Sequence, residues 1–321
     1  MEIIRGKEHR GGSGRVLVLG TFDGVHRGHQ ELLRLGRLRA AAEQVPLRVY
    51  TFDRHPLEVI RPEAAPPLLT TEAEKAEKLA EFGADELRLL PFDRETAGWT
   101  PEAFLRFLRE EQEVRAVVAG WNYSFGRGGA GDAALLQADG ARNGYEVIIV
   151  PSVRTERGEV ISSTAVREKL LSGEDEAARE MLGYPYFLTG TVVGGKHLGR
   201  RIGSPTANIR TDPRKLLPAY GVYACRLRCG GQVWDAVTNI GLQPTAPSGG
   251  VTVEAHVLSG APDLYGSAAR LELYRFLRPE RRFDSMEALE EQIQQDIART
   301  REVLSAPGAV DGEGEAEKQN G

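Results

Sequence analysis

Two rhythms of apolar and polar positions divide this chain. Over the first half, short apolar runs alternate with longer segments whose apolar residues recur every three or four positions. The runs Arg15–Gly20, Leu47–Phe52, Glu86–Phe92, Arg115–Gly120 and Tyr145–Pro151 read as strands. Gln30–Gln44, Glu72–Phe82, Pro101–Glu113 and Asp132–Asn143 read as helices between them. The first helix is expected to bury Leu32, Leu33, Leu35 and Leu38. Ala116-Val117-Val118-Ala119 and Val147-Ile148-Ile149-Val150 show no polar alternation, so both faces of those strands are expected to be covered. This predicts a doubly wound parallel α/β sheet, Rossmann-like, whose ligand crevice lies outside the carboxyl ends of its strands.

After Gly183 the rhythm shortens. Tyr186–Val193, Gly221–Leu227, Gln232–Ile240, Val251–Leu258 and Ala269–Phe276 are β-rich runs broken by Gly and Pro, the pattern of a small antiparallel β-barrel. A C-terminal helix follows from Ser285 to about Leu304, with Met286, Leu289, Ile293 and Ile297 on one face. Val310 to Gly321, rich in Gly and Glu, offers no apolar face and is expected to be disordered. The expected organisation is one domain over 1–183, a second over 184–304, and a tail over 305–321.

Composition narrows the partners. A length of 321 residues accommodates two cores, and 41% hydrophobic with 27% charged residues describes a globular chain. The net charge of −5 argues against nucleic acid or an anionic membrane as the main partner. No apolar run approaches the ~20 residues that span a bilayer, and no signal-peptide pattern opens the chain. Cys225 and Cys229 are its cysteines. On one strand, at ~3.3 Å per residue, they stand too far apart to bridge, and no histidine lies near enough to make a zinc site. A reducing cytoplasm is the expected setting. Nothing in the sequence indicates an oligomeric state.

The chemistry gathers at strand ends. Gly20-Thr21-Phe22-Asp23-Gly24-Val25-His26-Arg27-Gly28-His29 joins a strand to a helix N-terminus, a geometry suited to phosphate. His26 and His29, flanking Gly28, can aim two donors at one polyphosphate. His55, in Thr51-Phe52-Asp53-Arg54-His55-Pro56, reaches the crevice or caps a Pro-bound turn. Asn122-Tyr123-Ser124-Phe125-Gly126 offers stacking surface and an amide to a flat aromatic ligand. In Ile161-Ser162-Ser163-Thr164-Ala165-Val166-Arg167, the hydroxyls suit a helix cap and a phosphate alike, and Arg167 adds a guanidinium fork.

The His-x-Gly-His pattern matches nucleotidyltransferases that attack the α-phosphate of ATP. Taken in order, these four stretches resemble the adenylyltransferase module of prokaryotic bifunctional riboflavin kinase/FAD synthetases. Arg54 stands where that family usually has Pro. The resemblance implies His26 and His29 as the catalytic pair. Phosphate contacts are implied at Gly20, Phe22, Asp23, Gly24, Gly28, Ser162, Ser163, Thr164 and Arg167, and flavin contacts at His55, Asn122 and Phe125.

In the second half, Gly190 to His197 nearly spells a P-loop, but His197 replaces the Ser or Thr that would hold Mg²⁺, and no helix can start cleanly after it. The continuation Gly203-Ser204-Pro205-Thr206-Ala207-Asn208 resembles the riboflavin kinase signature. On an extended chain Thr206 and Asn208 face one way, offering two neutral oxygens to a Mg²⁺ that also holds phosphate and water. The resemblance continues through Gly221-Val222-Tyr223, Asn239-Ile240-Gly241, Asp263-Leu264-Tyr265-Gly266 and Leu277-Arg278-Pro279-Glu280. By itself Glu254 reads as an outward strand residue, but it matches the family's catalytic carboxylate. Gly195, Lys196 and Gly203 are implied as phosphate contacts and Arg278 as a flavin contact.

The resemblance implies an enzyme that phosphorylates riboflavin to FMN and adenylylates FMN to FAD, using ATP and Mg²⁺. One rival is a kinase with an inactive first domain, against which intact His26, His29 and Arg167 count. Another is a non-catalytic flavin-binding regulator, against which intact Glu254 and the lack of a basic DNA-reading helix count.

Overall fold

The computed structural model describes residues 1–7, 14–110, 114–194, 206–242, 250–260 and 264–306. They form two compact units, Met1–Ser163 and Thr164–Gly321. The expected tail segment from Val310 onward lies outside the described residues.

The first unit is built from β1 (Glu2–Arg5), β2 (Arg15–Leu19), α1 (Arg27–Glu43), β3 (Leu47–Phe52), α2 (Leu57–Ile60), α3 (Glu72–Glu81), β4 (Glu86–Leu90), α4 (Arg94–Ala97), α5 (Pro101–Glu110), β5 (Val114–Gly120), α6 (Ala133–Asn143) and β6 (Glu146–Val150). Its strands make one six-stranded sheet in the order β1-β4-β3-β2-β5-β6, parallel throughout. Successive side chains of a strand point to opposite faces, and this sheet buries both. Val16 and Val18 of β2 and Ala116 and Val118 of β5 share a core with Leu32, Leu33 and Leu79 of α1 and α3. Leu17, Leu19, Val117 and Ala119 share the opposite core with Phe104, Leu105 and Leu108 of α5 and Leu136 of α6. The chain leaves β2 toward β3 on one side and returns to β5 on the other. Their carboxyl ends therefore flank the switch point, where such sheets bind ligands.

The sheet has an edge strand, β1, that the sequence pattern does not mark, and three further details differ from that pattern. β6 is an edge strand, so Val147, Ile148 and Ile149 are half-buried instead of covered on both faces. Helix α1 starts at Arg27, placing Gly28 and His29 in its first turn. Leu38 is 58% exposed, and Gly36 occupies the core-facing position instead. A Cβ at Gly36 would meet Val18 Cγ2 at 2.7 Å and Leu47 Cδ1 at 2.8 Å, so helix and sheet touch closely there, and Ala40 one turn on is buried too.

The second unit comprises α7 (Ser163–Ser172), which starts on the last residue of the first, α8 (Asp175–Leu182), β7 (Phe187–Val193), β8 (Thr206–Thr211), β9 (Gly221–Cys229), β10 (Gln232–Leu242), β11 (Val251–Val257), β12 (Ala268–Pro279) and α9 (Met286–Ser305). The strands close an antiparallel barrel in the order β10-β11-β8-β7-β12-β9. Cys225 and Cys229 lie on β9 as buried free thiols. Patterning changes near Gly183, but packing divides earlier because both helices are tied to the barrel unit. Ala219 N donates to Leu170 O at 2.9 Å, and Phe276 N to Asp175 Oδ1 at 2.9 Å. On α9 the buried positions are Asp296, Ile297, Thr300 and Leu304. Met286, expected in the core face, is exposed. Among the described residues no helix is long and apolar enough to cross a membrane.

Candidate active sites

In the first unit the turn between β2 and α1 is held from below by Asp23. Its carboxylate accepts from the N–H of Leu69 at 3.2 Å and of Thr70 at 3.0 Å, and Gly24 N donates to Thr70 Oγ1 at 3.0 Å. The side chain of Asp23 thus faces protein N–H groups, an anchoring position for a residue implied as a phosphate contact. Gly24, at φ 80°, lies so near Leu69 that a Cβ would stand 2.8 Å from Cδ1. Phe22 and Val25 carry positive φ values of 53° and 33°, costly for side chains with a Cβ and characteristic of functional turns. Gly20 admits the Phe22 ring, whose Cε2 would stand 3.0 Å from a Cβ there. Ser163 Oγ donates to Asp23 O at 2.8 Å, tying the loop after β6 to the turn beside Ser162.

His26 is the N-cap of α1, and its Nδ1 accepts from His29 N at 3.3 Å. A neutral imidazole that accepts at Nδ1 carries its proton on Nε2, leaving that edge as a donor. The two rings stack with centroids 3.7 Å apart and planes 15° apart, and Phe22 closes on His29 at 5.0 Å. Gly28 permits the stack, since a Cβ there would press the His26 ring at 3.1 Å. Burial pulls the His26 pKa down to about 4 against the opposing pull of Asp23. Burial, then the charges of His26 and Lys75, hold His29 well below the ordinary histidine range. At neutral pH both rings are therefore uncharged hydrogen-bonding groups. His29 Nδ1 is buried with no partner among the described residues, the kind of orphaned atom a ligand satisfies. Lys75 of α3 donates to Thr21 O at 2.9 Å, bringing a cation to the turn that no sequence motif marks.

The remaining positions of this unit divide. His55 Nδ1 accepts from Leu57 N at 3.2 Å, and His55 N donates to Glu58 Oε1 at 3.0 Å, so that ring edge caps α2. Phe125 lies in the core between Phe104 and Tyr123, with centroids at 5.1 and 5.9 Å, and supports its loop from beneath. Asn122 and Trp121 are exposed at the loop rim beyond β5. On α7, Ser163 stands first, Thr164 second, and Arg167 one turn in.

In the barrel, strand register builds the second site. Glu254 on β11 sits directly opposite Asn208 on β8 and Asn239 on β10; His256 sits opposite Thr206. Alternation sends Ala207, Ile209, Val253, Ala255, Thr238 and Ile240 inward, so the polar row lies on the outer face of the barrel wall. Opposed residues in such ladders have Cβ atoms roughly 4.5–5.5 Å apart. Asn208, Glu254 and Asn239 thus form one row of oxygens and amide across three strands, with Thr206 and His256 in the row beside it. Asn239 Nδ2 donates to Glu280 Oε1 at 3.4 Å, and Glu280 lies over Gly241 where any Cβ would collide with it. Glu280 ends the stretch Leu277-Arg278-Pro279-Glu280, but neither it nor His256 has a role that the sequence implies. Pairing across strands, which sequence alone does not fix, is what brings them to the site.

Arg278 is committed elsewhere. Its guanidinium holds Asp296 of α9 through contacts of 3.1, 3.1 and 2.8 Å and lies 5.7 Å from the Phe283 ring centre. In this arrangement it joins β12 to α9. Gly195, Lys196 and Gly203 lie outside the described residues. Among the described residues no group of three or more His, Cys, Asp or Glu is arranged to hold a metal. The hard neutral oxygens of Thr206 and Asn208 beside Glu254 instead fit a Mg²⁺ that brings phosphate ligands with it.

Known proteins resemble both units. Residues 9–165 match the family model for FAD synthetase, and residues 182–304 match that for riboflavin kinase. A bifunctional riboflavin kinase/FMN adenylyltransferase of Listeria monocytogenes is 37% identical over 293 residues, 89% of this chain and 91% of that protein. Its counterpart by description from Escherichia coli K12 is 38% identical over 309 residues, 95% of this chain and 98% of that one. A crystal structure described as a macrolide-efflux protein from Streptococcus pneumoniae superposes with a TM-score of 0.85 at 33% identity, covering 94% of this chain and 99% of that one.

Proposed function

The chain belongs to the bifunctional riboflavin kinase/FMN adenylyltransferase family, and from that premise we propose which residues carry its two reactions. It is a transferase that phosphorylates riboflavin to FMN and adenylylates FMN to FAD, with ATP as co-substrate of both steps. The efflux description belongs to the pneumococcal structure, while both units of this chain match enzyme families.

For the kinase step, Glu254 accepts the proton of the ribityl hydroxyl as that oxygen attacks the γ-phosphorus of ATP and ADP leaves. Thr206 and Asn208 hold Mg²⁺, which when bound offsets charge on the phosphates. Asn239, in register with Glu254, orients the carboxylate or the hydroxyl it serves. For Gly195, Lys196 and Gly203 a phosphate contact rests on the sequence resemblance alone. The observation that carries this assignment is the cross-strand row Asn208–Glu254–Asn239.

For the adenylyl step no protein base is required, because the phosphate of FMN is already an anionic nucleophile. It attacks the α-phosphorus of ATP and pyrophosphate leaves. His26 and His29 donate hydrogen bonds from neutral rings to the phosphoryl oxygens as charge builds there. Gly20, Gly24 and Gly28 make room for the Phe22 ring, Leu69 and the His26 ring that shape this turn, and the resemblance implies phosphate contacts there. The resemblance implies further phosphate contacts at Ser162, Ser163, Thr164 and Arg167. Asn122 and His55 contact flavin, with Phe125 as the anchor of the loop. The adenylyltransferase domain spans 1–183 and the kinase domain 184–304. A cytoplasmic setting suits the free thiols of Cys225 and Cys229.

The test is an incubation of purified protein with riboflavin and Mg-ATP, followed by chromatography. Wild type yields FMN and then FAD. Glu254→Gln should lose ~10²–10⁴-fold in FMN formation, the usual yield of general-base catalysis. A Glu254→Gln variant that still phosphorylates riboflavin at the wild-type rate would refute the assignment.

A further inference from the structure

We propose that Lys75 is a binding residue for the triphosphate of ATP in adenylyl transfer, resting on the reading of the His26–His29 turn as that site. Lys75 sits in the first turn of α3, just after a capping box. There Thr71 Oγ1 accepts from Glu74 N at 3.3 Å, and the Glu74 carboxylate accepts from Thr71 N at 2.8 Å. The box follows directly on Leu69 and Thr70, whose N–H groups clamp Asp23, so α3 enters at a defined angle to the turn. The ammonium donates to Thr21 O at 2.9 Å, and Thr51 Oγ1 donates to the same carbonyl at 3.0 Å.

Four carboxylates face Lys75, those of Asp23, Glu72, Glu58 and Asp53, and all are engaged elsewhere. Asp23 takes the Leu69 and Thr70 amides, and Glu72 pairs with Arg5. Glu58 accepts from His55 N at 3.0 Å, while Asp53 accepts from Phe92 N at 3.0 Å and pairs with Arg54. None makes an ion pair with Lys75 among the described residues. Desolvation lowers its pKa against the opposing pull of those four carboxylates. Such a group gains most from an anionic ligand that supplies the missing acceptors. The turn needs it, because His26 and His29 are neutral at pH 7 and contribute donors without charge. Adenylyl transfer brings the FMN phosphate against a triphosphate, and Lys75 places a formal positive charge beside that encounter.

Lys75→Met, Lys75→Gln and Lys75→Arg in the full chain are assayed for FAD formation from supplied FMN, with inorganic tripolyphosphate and adenosine as inhibitors competing with ATP. Removing the charge should raise the KM for ATP and the tripolyphosphate inhibition constant roughly 10- to 100-fold, the range of a charge-assisted hydrogen bond. Adenosine inhibition should stay unchanged, and Lys75→Arg should recover most of the loss. Equal weakening of adenosine and tripolyphosphate, or a fall in kcat alone, would mean that Lys75 only holds the Thr21 carbonyl. A rise confined to the KM for FMN would overturn the proposal equally. The Gln variant, with its melting temperature, covers the case in which Met fails to fold. His29→Ala is run alongside, and undiminished FAD formation there would sink the reading of the turn itself, whatever Lys75 does.

Discussion

At His26, a helix cap and a proposed phosphate donor are the same side chain. Its Nδ1 caps α1 by accepting from His29 N, which leaves Nε2 as a donor. Burial holds its pKa at about 4, below the ordinary 6.5 of the unfolded chain. On acidification the unfolded state therefore takes up the proton first. Stability contributed by the neutral ring is present above pH 6.5 and is lost as pH falls toward 4, a loss of a few kcal/mol. His26→Asn keeps a capping side chain without that titration. The melting-temperature gap between wild type and His26→Asn should shift against wild type between pH 6.5 and 4, and a gap constant with pH would contradict the burial argument. Asn208 offers a second test at this scale. If Asn208 holds Mg²⁺ as proposed, Asn208→Ala should make riboflavin phosphorylation fall severely and demand more Mg²⁺, while FMN-to-FAD conversion continues. Near-normal kinase rates at limiting Mg²⁺ would remove Asn208 from the metal shell.

Between elements, glycine marks where two backbones or rings must approach. Gly36 of α1 lies against Val18 and Leu47, both on strands of the central sheet that cannot retreat without breaking the ladder. Gly36→Ala should cost ~1–3 kcal/mol, as overpacking a dense core does, seen as a lower melting temperature. An unchanged melting temperature would show that α1 slides to admit a methyl group. Leu38 is two positions round the helix from Gly36 and is exposed. Period identifies a face, but the contact of helix with sheet decides which residue of the face reaches the core. On α9 the buried face likewise carries Asp296, because Arg278 of β12 brings a partner to it. No hydrophobic pattern announces an ion pair.

For the whole molecule, the His26–His29 turn lies in one compact unit and Glu254 in the other, so the two proposed reactions should be separable. Glu254→Gln should fail to make FMN yet convert supplied FMN to FAD, and His29→Ala should do the reverse. Mixed together, these two variants should make FAD from riboflavin, because FMN released by one is a substrate of the other. If either folded variant lost both reactions, or the mixture stayed silent, the two-site account would fail.

Sequence alone determined the class of each unit. Uninterrupted apolar runs such as Ala116–Ala119 leave a strand no polar face, and short β-runs between Gly and Pro turns admit little but a small barrel. It also exposed the His26–His29 turn and the Thr206-x-Asn208 alternation, because both are local and depend only on neighbours in the chain. Register, entry angle and burial were beyond its reach. Glu254 meets Asn208 and Asn239 only through pairing of β11 with β8 and β10. Lys75 meets Thr21 only through the angle of α3. Asp23 turns to Thr70, and Phe125 into the core, because packing supplies partners far away in sequence. Local patterns follow from bonds and sterics between near neighbours. The choice of partner for a side chain is a property of the folded surface around it, and that surface exists only once distant segments have met.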